Sequence, residues 1–269
     1  MRFDVLLPLT LFSITVVSLY LFTSYGKRVE TMFSGQKIRV RDAALIVVFV
    51  GLMITVVVFM PGLVLQLMFL FSSSSLLFLL VYFLYPKWPV ALILPIVFLA
   101  LYVFSWNLIL MDLFALLLVL SAILYTSGVF SWKSTLVFAS LLTFMDVLHV
   151  FGTKYMEAVA QKATGLLLPL LIIVPTFPLT GYVALGLGDL LLSGLFVTQT
   201  ARQWGRRYGL MCCATIALGM LFGETILFNT IFDFLPATLF VMLGWGLTAV
   251  IRKLEPKKIP SPKPEPAKP

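Results

Sequence analysis

The sequence predicts an all-α, polytopic membrane protein with nine transmembrane helices. Two observations carry that expectation. Of 269 residues, 61% are hydrophobic and only 11% charged, with 24 Phe, which leaves too little polar surface to coat a water-soluble globule of this size. The chain also divides into nine apolar pieces, each near the roughly 20 residues that cross a bilayer core, at 5–22, 43–60, 63–85, 89–105, 108–126, 134–152, 179–199, 208–229 and 234–251.

The first piece follows Met1-Arg2-Phe3-Asp4, a weak basic lead, and no small-x-small pattern comes after it, so it reads as a helix rather than a cleaved leader. Turn and breaker residues separate later pieces: Pro61-Gly62, Pro86-Lys87-Trp88-Pro89, Ser105-Trp106-Asn107, Ser127-Gly128, and Asp233 ahead of Pro236. Between the sixth and seventh, the apolar segment Leu166 to Pro178 is too short to span and carries three prolines. It is expected to be re-entrant, extended or interfacial. Irregular backbone at membrane depth survives only where protein covers it or a wet cavity borders it, which places a cavity beside the seventh helix. Residues 1–251 then form one transmembrane unit, and 252–269, with Pro at 256, 260, 262, 264, 266 and 269, a basic, solvated, partly polyproline tail.

Loop charge gives the orientation. The N-terminus and the even-numbered loops hold Arg2, Lys154 and Lys162, while the other sixteen of the 19 Lys and Arg residues face the opposite side. The positive-inside rule puts the N-terminus outside and the C-terminus in the cytoplasm, and a microbial cell membrane is the expected location. Basic loops against an anionic leaflet account for the formal charge of +8, and no nucleic-acid-binding signature accompanies it. Cys212 and Cys213 are adjacent in an apolar run and cannot close a long-range disulfide.

Two lone carboxylates inside apolar stretches point to function: Asp146 in the sixth piece and Asp189 in the seventh. An acid at the bilayer centre costs roughly 2.5 to 3.5 kcal/mol on insertion, so each needs a reason to be there. Successive antiparallel helices would bring both to similar depths, about 9 and 14 Å from their outer ends at 1.5 Å per residue. Two carboxyls within hydrogen-bonding distance cannot both ionise. They share a proton, and one can then take a proton from water while the other gives one to a carbonyl oxygen. That is aspartic protease chemistry, which requires no cofactor or metal.

Gly186-Leu187-Gly188-Asp189 resembles the GxGD signature of the presenilin and signal peptide peptidase family of intramembrane aspartyl proteases. Asp146 in an apolar helix upstream resembles the family's YD helix, and Leu235-Pro236-Ala237-Thr238 resembles its PAL motif. The resemblance covers the last four helices, and nine spans is the family's count. It implies Asp146 and Asp189 as the catalytic pair, with Met145, Gly186, Leu187, Gly188, Pro236, Ala237 and Thr238 around the substrate. Met145 stands where the family usually has Tyr, and Thr238 where it usually has Leu; neither is expected to touch the acids. Given the outward direction of the sixth helix, the resemblance implies single-span substrates with a cytoplasmic N-terminus, such as leftover signal peptides.

Gly186 and Gly188 remove bulk beside Asp189, either for a close backbone approach or for helix packing. A helical substrate must unwind before its carbonyls can be attacked, and an extended protein edge would hold the exposed backbone. The β-branched run Leu171-Ile172-Ile173-Val174 is the candidate edge, acting by β-augmentation through Ile172 and Ile173 with Pro236 and Ala237 as the opposite wall. Glu224 in the eighth piece either lines a water path or pairs locally with Asn229, Thr225 or a neighbouring helix. His149 reads as a membrane-interface histidine rather than a metal ligand, and Asp112 as reaching interfacial water. Ser72 to Ser75 read as helix-packing glue. The rival function is a proton- or cation-coupled transporter, which would also keep acids inside the membrane.

Overall fold

The computed structural model describes residues 2–33, 37–153, 155–230 and 235–255. In chain order these form α1 (Leu6–Met32), α2 (Val40–Phe59), α3 (Gly62–Leu84), α4 (Trp88–Ala91), α5 (Ile93–Phe104), α6 (Leu108–Val129), α7 (Trp132–Val147), a π-helical turn (Leu148–Thr153) and α8 (Tyr155–Gly165). Two strands follow, β1 (Leu171–Pro175) and β2 (Tyr182–Gly186), and then α9 (Leu187–Trp204), α10 (Arg206–Asn229) and α11 (Ala237–Leu254). Helix stands at each of the nine predicted places. Among the described residues, seven helices are long and apolar enough to cross a membrane, which suggests a multi-pass membrane protein.

The fourth and seventh places fall outside those seven, each for a physical reason. The fourth is interrupted at Leu92 between α4 and α5, because Pro95 has no N–H to give the Ala91 carbonyl. The seventh, α9, is less apolar because it does not meet lipid along most of its length. It packs against α1, α6, α7, α10 and α11 and buries every residue from Leu192 to Thr200. Its polar side chains are satisfied there: the Thr198 and Ser127 hydroxyls lie 2.6 Å apart, and Gln199 Nε2 donates to the carbonyls of Ser127 (3.2 Å) and Phe130 (3.1 Å).

The ends of the elements also depart from expectation. α1 runs ten residues beyond its predicted end at 22, leaving the apolar zone through Lys27, Arg28 and Glu30. There Arg28 Nη1 donates to the carbonyls of Phe83 and Leu84 at the end of α3, and Arg202 meets Glu30 at 2.5 Å. α11 continues through Leu254, so the proposed boundary at 251 falls inside a helix; Arg252 lies over the Trp204 ring at 4.4 Å. Residues 256–269 of the tail, Lys154 and Asp233 lie outside the described residues.

The all-α expectation is corrected by a β-hairpin. Tyr182–Gly186, assigned to the seventh helix, is instead a strand paired antiparallel with β1, with Leu171 opposite Gly186 and Pro175 opposite Tyr182. Tyr and Val favour extended backbone, and Gly186 and Gly188 are weak helix formers, so the α9 helix starts only at Leu187. The segment expected to be re-entrant, extended or interfacial supplies β1. The bonds Leu187 N–H to Leu170 O and Thr176 N–H to Gly181 O fix the ladder. Antiparallel alternation then makes Ile172–Leu185 and Val174–Val183 the hydrogen-bonded pairs and turns the backbone groups of Ala184 outward.

α10 and α11 cross at glycines. A Cβ on Gly244 would sit 2.5 Å from the Thr215 carbonyl oxygen and 2.6 Å from the Ile216 Cα, and one on Gly219 would sit 2.5 Å from the Phe240 carbonyl oxygen. Those neighbours are backbone and cannot rotate away. Gly→Ala in an open helix gains about 0.8–1 kcal/mol of propensity, but overpacking here costs about 1–3 kcal/mol and decides the sign. Gly244→Ala should therefore lower the melting temperature of the detergent-solubilised protein. An unchanged or raised temperature would mean that the crossing is looser than this.

Candidate functional site

Five element ends converge on one cavity of about 700 Å³. α7 stops there, α9 begins, α10 ends, α11 begins, and the start of α1 closes it with Leu7. Asp146 is the next-to-last residue of α7, and Asp189 is the third of α9. Both line the cavity and are only partly buried, and each lies within reach of the other's charge. The depth expected for Asp189 is corrected: the strand replaces the first turns of the predicted helix, so this acid stands at a helix start rather than nine residues in.

The cavity has a β wall and a helical wall. All of β2 lines it, with Tyr182 75% exposed, and α10 presents Met220, Gly223, Glu224, Leu227 and Phe228, a face repeating every three to four residues. α8 adds Val159, Ala160 and Ala163. On the far side of Val159 and Leu170, a second cavity of about 400 Å³ opens between α2 and α3. It is strongly apolar, bordered by Phe49, Met53, Ile54, Met68 and Phe69.

The sequence-predicted residues divide. Asp146, Asp189, Gly186 and Ala237 border the cavity. Gly186 lies close against the acid, since a Cβ there would sit 3.1 Å from Asp189 Oδ2, whereas a Cβ on Gly188 would meet open space. Leu187 packs against the core, and Pro236 is the buried N-cap residue of α11. Met145 points away from the cavity to α2, where its methyl lies over Gly51.

Thr238 overturns the expectation that it leaves the acids alone. Its hydroxyl donates to Asp146 Oδ2 at 2.7 Å, so α11 holds the α7 acid through the one position that departs from the PAL pattern. Thr238 is 4% exposed, and its partner is a carboxylate, which makes the bond a strong one of about 1.5–3 kcal/mol. Thr238→Val keeps the volume and removes the donor. It should lower the rate of any Asp146-dependent reaction by about tenfold, at 1.4 kcal/mol per decade, while Thr238→Ser keeps most of it; equal rates for the two variants would show that the bond is idle.

β1 is not the free edge. Ile173 N–H points away from β2 and donates to Asp112 Oδ1 at 3.0 Å, so the partly exposed Asp112 also has a partner in the protein. Ile172 is buried and opposes Leu185. The unpaired edge therefore belongs to β2, through Ala184 and its neighbours. His149 is buried within the protein, with Nε2 3.3 Å from the Gly51 carbonyl oxygen. Ser72 and Ser75 bond to carbonyls of their own helix. Cys212 and Cys213 are free, buried thiols.

Sequence reasoning missed three contributors. Asp4 is fully buried and accepts from the N–H groups of Leu6, Leu7 and Phe177, tying the hairpin loop to the start of α1. An aspartate just ahead of an apolar run is a helix-start signal, so it was findable. α8 occupies a stretch expected to be loop, and its Lys162 donates to the carbonyls of Val57, Val58 and Met60 at the end of α2. Nothing in the sequence marks Tyr182 as a cavity residue. Comparison with protein-family models and with curated proteins returned no match.

Proposed function

We propose that this chain is an intramembrane aspartyl protease of the presenilin and signal peptide peptidase kind, with nine membrane-crossing helices and the N-terminus outside. Its substrates are type II or signal-peptide-like transmembrane helices. The observation that carries this reading is that Asp146 and Asp189, from the end of one helix and the start of another, line one cavity beside an unpaired strand edge. The apolar cavity between α2 and α3 supports it as a route from the bilayer, since it shares Val159 and Leu170 with the cavity that holds the acids.

In the reaction, one carboxyl is protonated and the other ionised. The ionised one takes a proton from water as the water oxygen attacks the peptide carbonyl carbon, and the protonated one gives its proton to the carbonyl oxygen. The resulting gem-diol returns one hydroxyl proton to the carboxylate while the other acid protonates the leaving nitrogen. The C–N bond breaks, and the pair again holds one proton. An unwound substrate segment along β2 exposes its carbonyls to the pair, with its own lost helical bonds replaced by the strand.

The test is purified protein with a single-span reporter whose N-terminus lies on the cytoplasmic side. Product termini inside the apolar span support the reading. An intact reporter overturns it, as does cleavage that persists in Asp146→Asn or Asp189→Asn.

A further inference from the structure

Among the described residues, Glu224 is the one acid lining this cavity that the reaction above does not use. It is 4% exposed, it borders the cavity, and neither carboxylate oxygen has a hydrogen-bond partner. An unpartnered buried carboxylate is expensive. Neighbours offer it nothing: Phe240 packs against Gly223 at its side, Leu227 and Phe228 continue the wall, and the nearby charge is the like charge of Asp4. No Lys or Arg borders the cavity among the described residues, and no three His, Cys, Asp or Glu side chains gather closely enough to hold a metal ion.

Its height is set by the turn at Gly205. Glu224 stands nineteen residues up α10 from that glycine and Asp189 sixteen down α9, so Glu224 lies three residues, about 4.5 Å along the axes, beyond the acid. That is level with Gly186, at the end of β2. A strand rises about 3.3 Å per residue, so a substrate segment lying along β2 brings a side chain to Glu224 within about two residues of the bond cut.

We propose that Glu224 forms a specificity subsite for a primary-ammonium side chain, a lysine of the substrate segment placed within about two residues of the scissile bond. This rests on the protease reading. A basic residue in an apolar segment and an unpaired acid in the cavity are each costly alone, and pairing relieves both. The subsite would thus select segments that carry an intramembrane lysine over uniformly apolar ones.

The experiment uses full-length protein in phosphatidylcholine vesicles, which supply no competing primary amine. A single Lys is walked through the apolar span of the reporter, with Leu and Gln at the same positions as references, and kcat/KM is compared within each enzyme. For wild type, Lys at one or two adjacent positions should exceed Leu by about tenfold and also exceed Gln. In Glu224→Gln that ratio should fall to about one, whatever the absolute rate. In the inactive Asp189→Asn background, the Lys segment should bind more tightly than the Leu segment, and adding Glu224→Gln should remove the difference. No Lys-preferring position in wild type, or a ratio unchanged in Glu224→Gln, overturns the subsite while leaving the protease reading intact. No Asp189-dependent cleavage of any reporter overturns both.

Discussion

Asp189→Asn is expected to lower reporter cleavage by about 10²- to 10⁴-fold, the usual worth of a positioned acid or base, and Asp146→Asn by a comparable factor. The amide keeps the shape but can neither take the proton from water nor supply one on a matching cycle. In the proposed reaction the two acids act as one proton-sharing unit, so the double variant should be barely slower than either single variant. The loss must appear without unfolding. Asp189 is partly buried in a cavity with no basic residue among its described lining, so replacing it with a neutral amide removes repulsion rather than a pairing, whereas Asn at 146 leaves the Thr238 hydroxyl only a weaker, neutral acceptor. A melting temperature at or above wild type for Asp189→Asn, and one slightly below it for Asp146→Asn, with cleavage gone in both, are the expected combination. A protein that melts far lower would show that the carboxylates hold the fold, and a variant that still cuts would remove that acid from the chemistry.

The second large effect is expected at Ala184. Its backbone N–H and carbonyl face away from β1, and the residue borders the cavity. Ala184→Pro deletes that N–H and leaves the ladder bonds of Leu185 and Val183 in place, and proline is tolerated on a strand edge. A substrate carbonyl left without its donor costs about 1–3 kcal/mol, so cleavage should fall about tenfold or more with the hairpin intact. Ile172→Pro is the contrasting case. It removes a donor used inside the hairpin and should reduce thermal stability as well as rate. If Ala184→Pro cuts at the wild-type rate, the substrate is not held by this edge.

The reach of the sequence reading depended on the kind of signal. Apolar length located helix at all nine places, because nothing but water-avoiding length is needed to read it. α9 broke that rule at its N-terminal end: five residues of Tyr-Val-Ala-Leu-Gly are apolar enough to continue a helix, but their extended preference and pairing with β1, 7 to 15 residues upstream, make them a strand. The acids were legible as costly charges, but the hydroxyl of Thr238 on Asp146 was not, since it joins positions on α7 and α11 that the sequence does not relate. Asp112 shows the same limit. Its place near the end of an apolar run suggests solvent, and it is partly exposed, but its bond from the Ile173 N–H of a strand follows only from the assembled fold. Signals carried by periodicity were readable, and those carried by the meeting of distant segments were not.

The bond from Leu187 N–H to Leu170 O has a further consequence. Leu187 belongs to two structures at once: it makes the last rung of the hairpin, and it is also the first residue of α9. The acid therefore stands two residues past a fixed mark, and its height is metered by the hairpin rather than by the thickness of the bilayer. A segment laid beside β2 is gauged against the same mark. The place where such a segment meets Asp189 becomes a count of residues, insensitive to how the surrounding membrane swells or thins.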